Sequence, residues 1–122
     1  MGKTILIVED DRKNLKLFRE LLQELGYSTV EATDGSQAVK VARAAKPSLI
    51  LMDIQLPVID GLEATRIIKS DTSTKNIPIV ALTAYAMKTD EQKAIQAGCD
   101  GYLPKPLRAQ TLLEKVKEYL KE

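Results

Sequence analysis

Histidine is absent from the 122 residues, and cysteine occurs once. The first absence removes Ser-His-Asp and Cys-His catalysis, histidine-ligated zinc and any imidazole general base. The lone Cys99 excludes an internal disulfide and a thiolate-rich metal site. Its setting, "QAGCDGY", reads as a small buried residue rather than a reactive thiol. No apolar stretch approaches the roughly 20 residues of a membrane span. The opening "MGKTILIVED" has too short an apolar region for a signal peptide. Gly2 lacks the hydroxyl residue at position 6 that myristoylation wants, since Leu6 stands there. With 18 basic and 17 acidic side chains there is no basic surplus to hold nucleic acid. Neither a linker nor a repeat nor a low-complexity segment is evident. The expectation is one soluble, cytoplasmic domain spanning residues 1–122, with no membrane and no direct nucleic-acid partner. Its chemistry must run on carboxylates, hydroxyls, lysines and a hard metal ion.

What is present is a strict alternation. The strand-like runs are "TILIV", "YSTVEA", "SLILMD", "IVALT" and "GYLP". Between and after them lie five helical patterns: "RKNLKLFRELLQELG", "GSQAVKVARAAK", residues 62–70, "KTDEQKAIQAG" and "RAQTLLEKVKEYLKE". Five strands alternating with five helices argue for an α/β fold with a parallel sheet covered on both faces. In the first helix Leu15, Leu17, Phe18, Leu21, Leu22 and Leu25 fill an arc of about 160°, wider than a core stripe requires. Two readings stay open: a deeply buried helix, or one whose edge near Leu15 or Phe18 reaches a partner helix.

In an open parallel sheet, functional groups collect beyond the carboxyl ends of the strands. Glu9, Asp10 and Asp11 follow the first strand, and Thr33 and Asp34 the second. Asp53 ends the third, a run apolar enough to be buried on both faces. Thr83 ends the fourth, and the fifth leads to Lys105. Asp11 reads as a helix N-cap. Thr83 and Lys105 would each be unremarkable alone. Jointly, acids after two buried strands repel one another and call for a cation. Magnesium, with its preference for oxygen ligands, suits that need.

The motifs "LIVEDD", "LILMDIQLPVIDG", "IPIVALTA" and "GYLPKP", in that order and spacing, resemble the receiver domains of two-component response regulators. The resemblance covers essentially the whole chain and implies a flavodoxin-like, doubly wound (βα)5 sheet in order 2-1-3-4-5. It implies that Asp53 is the phosphoacceptor. Magnesium (or manganese) would be held by Asp10, Asp53 and the Gln55 main-chain carbonyl, with Glu9 acting through water. Thr83 and Lys105 would contact the phosphoryl group, and Tyr102 would be the aromatic switch following Thr83. Gln55 and Tyr85 would tune dephosphorylation. The peptide between Lys105 and Pro106 would be cis.

The implied chemistry is attack of a carboxylate on a phosphoryl group. The donor would be a sensor histidine kinase or histidine phosphotransfer protein, because this chain has no histidine to offer. The protein would be a self-catalysing phosphoacceptor and switch rather than a conventional enzyme, slowly losing its phosphoryl group to water. A downstream protein would read the face formed by the fourth helix, fifth strand and fifth helix. Glu9 replaces the commoner aspartate of the acidic pair, and Pro104 predicts an early end to the fifth strand. The chain is similar to stand-alone cell-division and chemotaxis regulators, or to a receiver cut from a hybrid kinase. Three other readings compete with this one. A haloacid-dehalogenase-type phosphohydrolase needs a second aspartate where Gln55 stands. A flavin or nucleotide fold needs a glycine-rich loop where "EDDRKN" stands. A receiver-like module working without phosphate would have no use for the pocket residues, all of which are present.

Overall fold

Where the sequence runs apolar without alternation, the chain forms strands buried on both faces. The computed structural model describes residues 3–56, 58–83, 88–105 and 108–121, with backbone only at 88–90. Every residue of β3 (Leu49–Asp53) and β4 (Ile79–Thr83) is buried, as is β1 (Thr4–Val8) beyond its first residue. β2 (Ser28–Ala32) and β5 (Gly101–Pro104) flank them and are less covered. All pairings are parallel and the order is β2-β1-β3-β4-β5. The α/β, flavodoxin-like arrangement expected from the sequence is therefore the one observed.

Alternate residues of the strands feed two cores. Ile5, Ile7, Leu51, Val80 and Leu82 pack with Leu15, Phe18 and Leu22 of α1 (Arg12–Glu24) and Leu112, Val116 and Leu120 of α5 (Ala109–Leu120). Leu6, Val8, Ile50, Met52 and Ala81 pack instead with α2 (Gly35–Ala45), α3 (Gly61–Ser70) and Ala94 of α4 (Lys88–Ala97). Fully burying one such leucine or isoleucine contributes roughly 1.5–3 kcal/mol before chain entropy is charged against it.

The first helix settles its two readings differently at each edge. Leu15 and Phe18 are buried in the core, as the deeply buried reading expects, and the exposed members of the arc are Leu17 and Leu25. The helix stops at Gly26, whose φ of +90° closes it with bonds from the Gly26 and Tyr27 amides to the Gln23 and Leu22 carbonyls. At β5 the strand ends on Pro104, four residues long. The Lys105 amide still donates to the Thr83 carbonyl (2.6 Å), so the Pro104 nitrogen faces the open edge, where a missing donor costs nothing.

The amino ends of β4 and β5 are tied by Asp100. Its carboxylate accepts from the Ile79 amide (2.8 Å) and the Lys69 ammonium (2.9 Å), and its carbonyl accepts from the Tyr119 hydroxyl (2.6 Å). This leaves the carboxyl ends of the strands as the open edge of the fold. Among the described residues no helix is long and apolar enough to cross a membrane.

Candidate functional site

The register of the sheet brings the strand-end acids together. Val8 pairs with Met52, so the residues that follow, Glu9 and Asp53, emerge side by side. Ligand oxygens of Glu9, Asp10 and Asp53 all lie within 4.8 Å of one another. Glu9 and Asp53 are buried, while Asp10 is exposed. Lys105, from the far edge, spans the gap: its ammonium donates to Glu9 Oε1 at 2.6 Å and to Asp53 Oδ2 at 2.9 Å. The other Asp53 oxygen accepts from the Gln55 amide at 2.9 Å. Gln55 thereby keeps its backbone against the carboxylate and its side chain in solvent.

Burial is the largest influence on Glu9, and the neighbouring Asp53 adds to it; together they outweigh Lys105 and push its carboxyl up to about 7. Burial pulls the Lys105 ammonium down, but its bonds to Glu9 and Asp53 prevail and its pKa is raised. One ammonium, bonded to Glu9 and Asp53, thus stands against a cluster of three acids. That surplus of negative charge, with donors that are all oxygen, fits a hard divalent cation such as magnesium or manganese and not a thiolate-seeking metal.

Asp11 caps α1, accepting from the Lys13 and Asn14 amides, as its position predicted. Thr83 is fully buried at the end of β4. Tyr102 pairs with Ala81 in the ladder and packs half-buried against the α2–α4 core. In the parallel ladder Thr83 pairs with Pro104, two residues on from Tyr102, so Thr83 and Tyr102 share a sheet face. Tyr85 and Pro106, and with it the Lys105–Pro106 peptide, lie outside the described residues. Two neighbours of Glu9 escaped the sequence: the Asp11 amide, 3.3 Å from Oε2, and the Asn14 side-chain amide, 3.5 Å from Oε1. Asn14 sits one turn into a polar helix face, and nothing in the sequence marks it.

This pairing of sheet order with strand-end acids is that of a signalling receiver. Residues 5–117 match the model of the response regulator receiver domain, and the chain belongs to that family, part of two-component signalling. The polar-differentiation response regulator DivK of Brucella anthropi is 46% identical over 120 residues, covering 98% of both chains. Among solved structures, the receiver domain of a Pseudomonas aeruginosa sensor histidine kinase, with magnesium coordinated in its active-site cleft, superposes with a TM-score of 0.93. It is 38% identical and covers both chains fully. A Vibrio cholerae chemotaxis response regulator superposes with a TM-score of 0.93 at 28% identity, covering 98% of this chain and all of its own.

Proposed function

We propose that residues 1–122 form a receiver domain that takes a phosphoryl group onto Asp53 and signals through the resulting change of shape. One observation carries the reading: the Lys105 ammonium bridges Glu9 and Asp53 within a cluster of three acids. In the transfer, an Asp53 oxygen attacks the phosphorus of a phosphohistidine on a partner protein. The phosphorus–nitrogen bond breaks, its electron pair stays on the imidazole, and an acyl phosphate remains. Lys105 swings from the carboxylates to the new phosphoryl oxygens, keeping its charge beside the greatest negative density. Magnesium, held by Asp10, Asp53 and the Gln55 carbonyl with Glu9 one water away, would neutralise charge on the transferred oxygens when bound. The magnesium-coordinating Pseudomonas receiver supports that assignment.

Thr83 supplies a hydroxyl donor at the end of β4. As it turns toward the phosphoryl group, space opens for Tyr102 to move inward, and the α4–β5–α5 surface changes for a downstream protein to read. The Gln55 side chain, exposed beside Asp53, borders the path of the water that ends the signal, and the family resemblance gives Tyr85 a part in tuning it. A sensor histidine kinase or phosphotransfer protein is the donor class, and with it comes a cytoplasmic location. The test is intact mass after incubation with acetyl phosphate, with and without magnesium, for the wild type and Asp53→Asn. A single magnesium-dependent phosphoryl adduct absent from the variant supports the reading. No adduct in either protein, together with no binding of beryllofluoride, favours the phosphate-independent interaction module.

A further inference from the structure

The loop that follows the phosphoacceptor carries an unusual backbone. Val58, branched at Cβ and 82% exposed, has φ +68°, in the left-handed region that such residues avoid. Local side-chain packing does not compensate for this at so exposed a residue, so the fold must hold the loop from elsewhere. It does so at two glycines. Gly61, opening α3, lies so close to the Asp53 carbonyl that an added Cβ would fall 2.2 Å from that oxygen. Its amide donates to the Ile54 carbonyl at 3.1 Å, closing the loop on itself. Gly35 belongs to a different element, the first turn of α2. There an added Cβ would fall 1.9 Å from the Ile59 carbonyl oxygen and 2.7 Å from its carbon. The obstacle is main chain, so no rotamer change relieves it.

We propose that Gly35 is a positioning residue for the Asp53 site, resting on the proposed function above. Its bare Cα lets the start of α2 seat against Ile59, and this contact holds the neighbouring strained Val58, to which Gln55 is joined along the chain. The Gln55 amide is the group that holds Asp53 Oδ1 at 2.9 Å. Asp34 and Gln37 keep the support rigid. The Asp34 carboxylate caps the Gln37 amide at 2.8 Å, and the Gln37 side chain accepts from the Thr33 amide at 3.0 Å. Any side chain at position 35 displaces Ile59, and the stiff Val58 passes the shift toward Gln55 and the cation-holding oxygens. A glycine at 58 would absorb it.

The test compares Gly35→Ala, Gly35→Ala/Val58→Gly and Gly98→Ala with wild type. Gly98, with φ +111° at the far end of α4, is a control for destabilisation alone. Amide hydrogen exchange at Gln55 and Gly61 is followed on metal-free protein, and magnesium affinity on each folded variant. Gly35→Ala is expected to raise exchange at both amides at least tenfold relative to the core strands and to weaken magnesium binding several-fold. Gly98→Ala should do neither, and the double variant should recover most of the affinity. Unchanged exchange at Gln55 and Gly61 in Gly35→Ala would overturn the proposal. So would equal losses in Gly98→Ala, or no recovery in the double variant while Gly35→Ala is impaired. If wild type binds no magnesium, the metal-site reading fails, while the exchange comparison still decides the role of Gly35.

Discussion

Lys105 and Glu9, 96 residues apart, meet at 2.6 Å, with Asp53 as the third party at 2.9 Å from the same ammonium. Removing one partner of such a buried group leaves the others uncompensated, which costs more than the pair contributes. Lys105→Met should therefore destabilise the metal-free protein by about 1–3 kcal/mol, less than the roughly 3–5 kcal/mol of a fully buried pair because the lysine keeps some contact with solvent. Magnesium should bind more tightly, because a competing positive charge is gone. Chemical denaturation with and without magnesium checks the first point and calorimetric titration the second.

Glu9 gives a pH dependence of defined sign. Its carboxyl titrates at about 7 in the folded protein against 4.5 ordinarily, so the folded state holds the proton more tightly. The stability this contributes is complete below pH 4.5 and is lost as pH rises through 7. Metal-free protein should lose on the order of 1–3 kcal/mol between those limits. Asp71, whose pKa is lowered by its bonds to the Ser73 amide and hydroxyl, titrates below this window. Urea midpoints at pH 5 and 7.5 measure the slope, which Glu9→Gln should flatten and saturating magnesium should reduce.

Capping carboxylates provide a contrast. Asp60 accepts from the Glu63 amide at 2.9 Å at the start of α3, and Asp34 does the same for α2. Asp60→Ala should cost about 1 kcal/mol of stability, as lost N-caps do. The acceptor should survive: acetyl phosphate should still load Asp53, as intact mass will show.

Cys99 is buried, and burial raises its thiol pKa despite the Thr65 hydroxyl 3.7 Å from sulfur. Burial thus both suppresses the thiolate and blocks reagent access. Iodoacetamide at pH 8 should modify the native protein at least tenfold more slowly than the urea-unfolded chain, as timed mass spectra would show.

The two levels of the structure were legible to different degrees. Runs such as "SLILMD" and "IVALT" declare buried strands because every residue is apolar, and the helices between them leave little topological choice. Strand-end positions are fixed by that topology, so the sequence alone places Glu9, Asp10, Asp53, Thr83 and Lys105 at one edge of the sheet. Contacts between helix residues and loops could not be placed in this way. Asn14 beside Glu9, the Lys69–Asp100 tie and Gly35 under Ile59 join residues with no shared periodicity. The exposed edge of α1 is open in the sequence for a related reason. The angular arc gives the width of a face, while burial depends on how the helix sits, and here it turns Leu17 outward.

The central claim is that Asp53 carries the phosphoryl group, and its most direct test is chemical. Protein loaded from acetyl phosphate and magnesium would be reduced with borohydride, which converts an aspartyl phosphate to homoserine, and then digested and sequenced by mass spectrometry. The account predicts homoserine at position 53 alone, dependent on loading and on magnesium. Homoserine at Asp10 or Asp60 instead, or none in protein that has demonstrably gained a phosphoryl group, would contradict it.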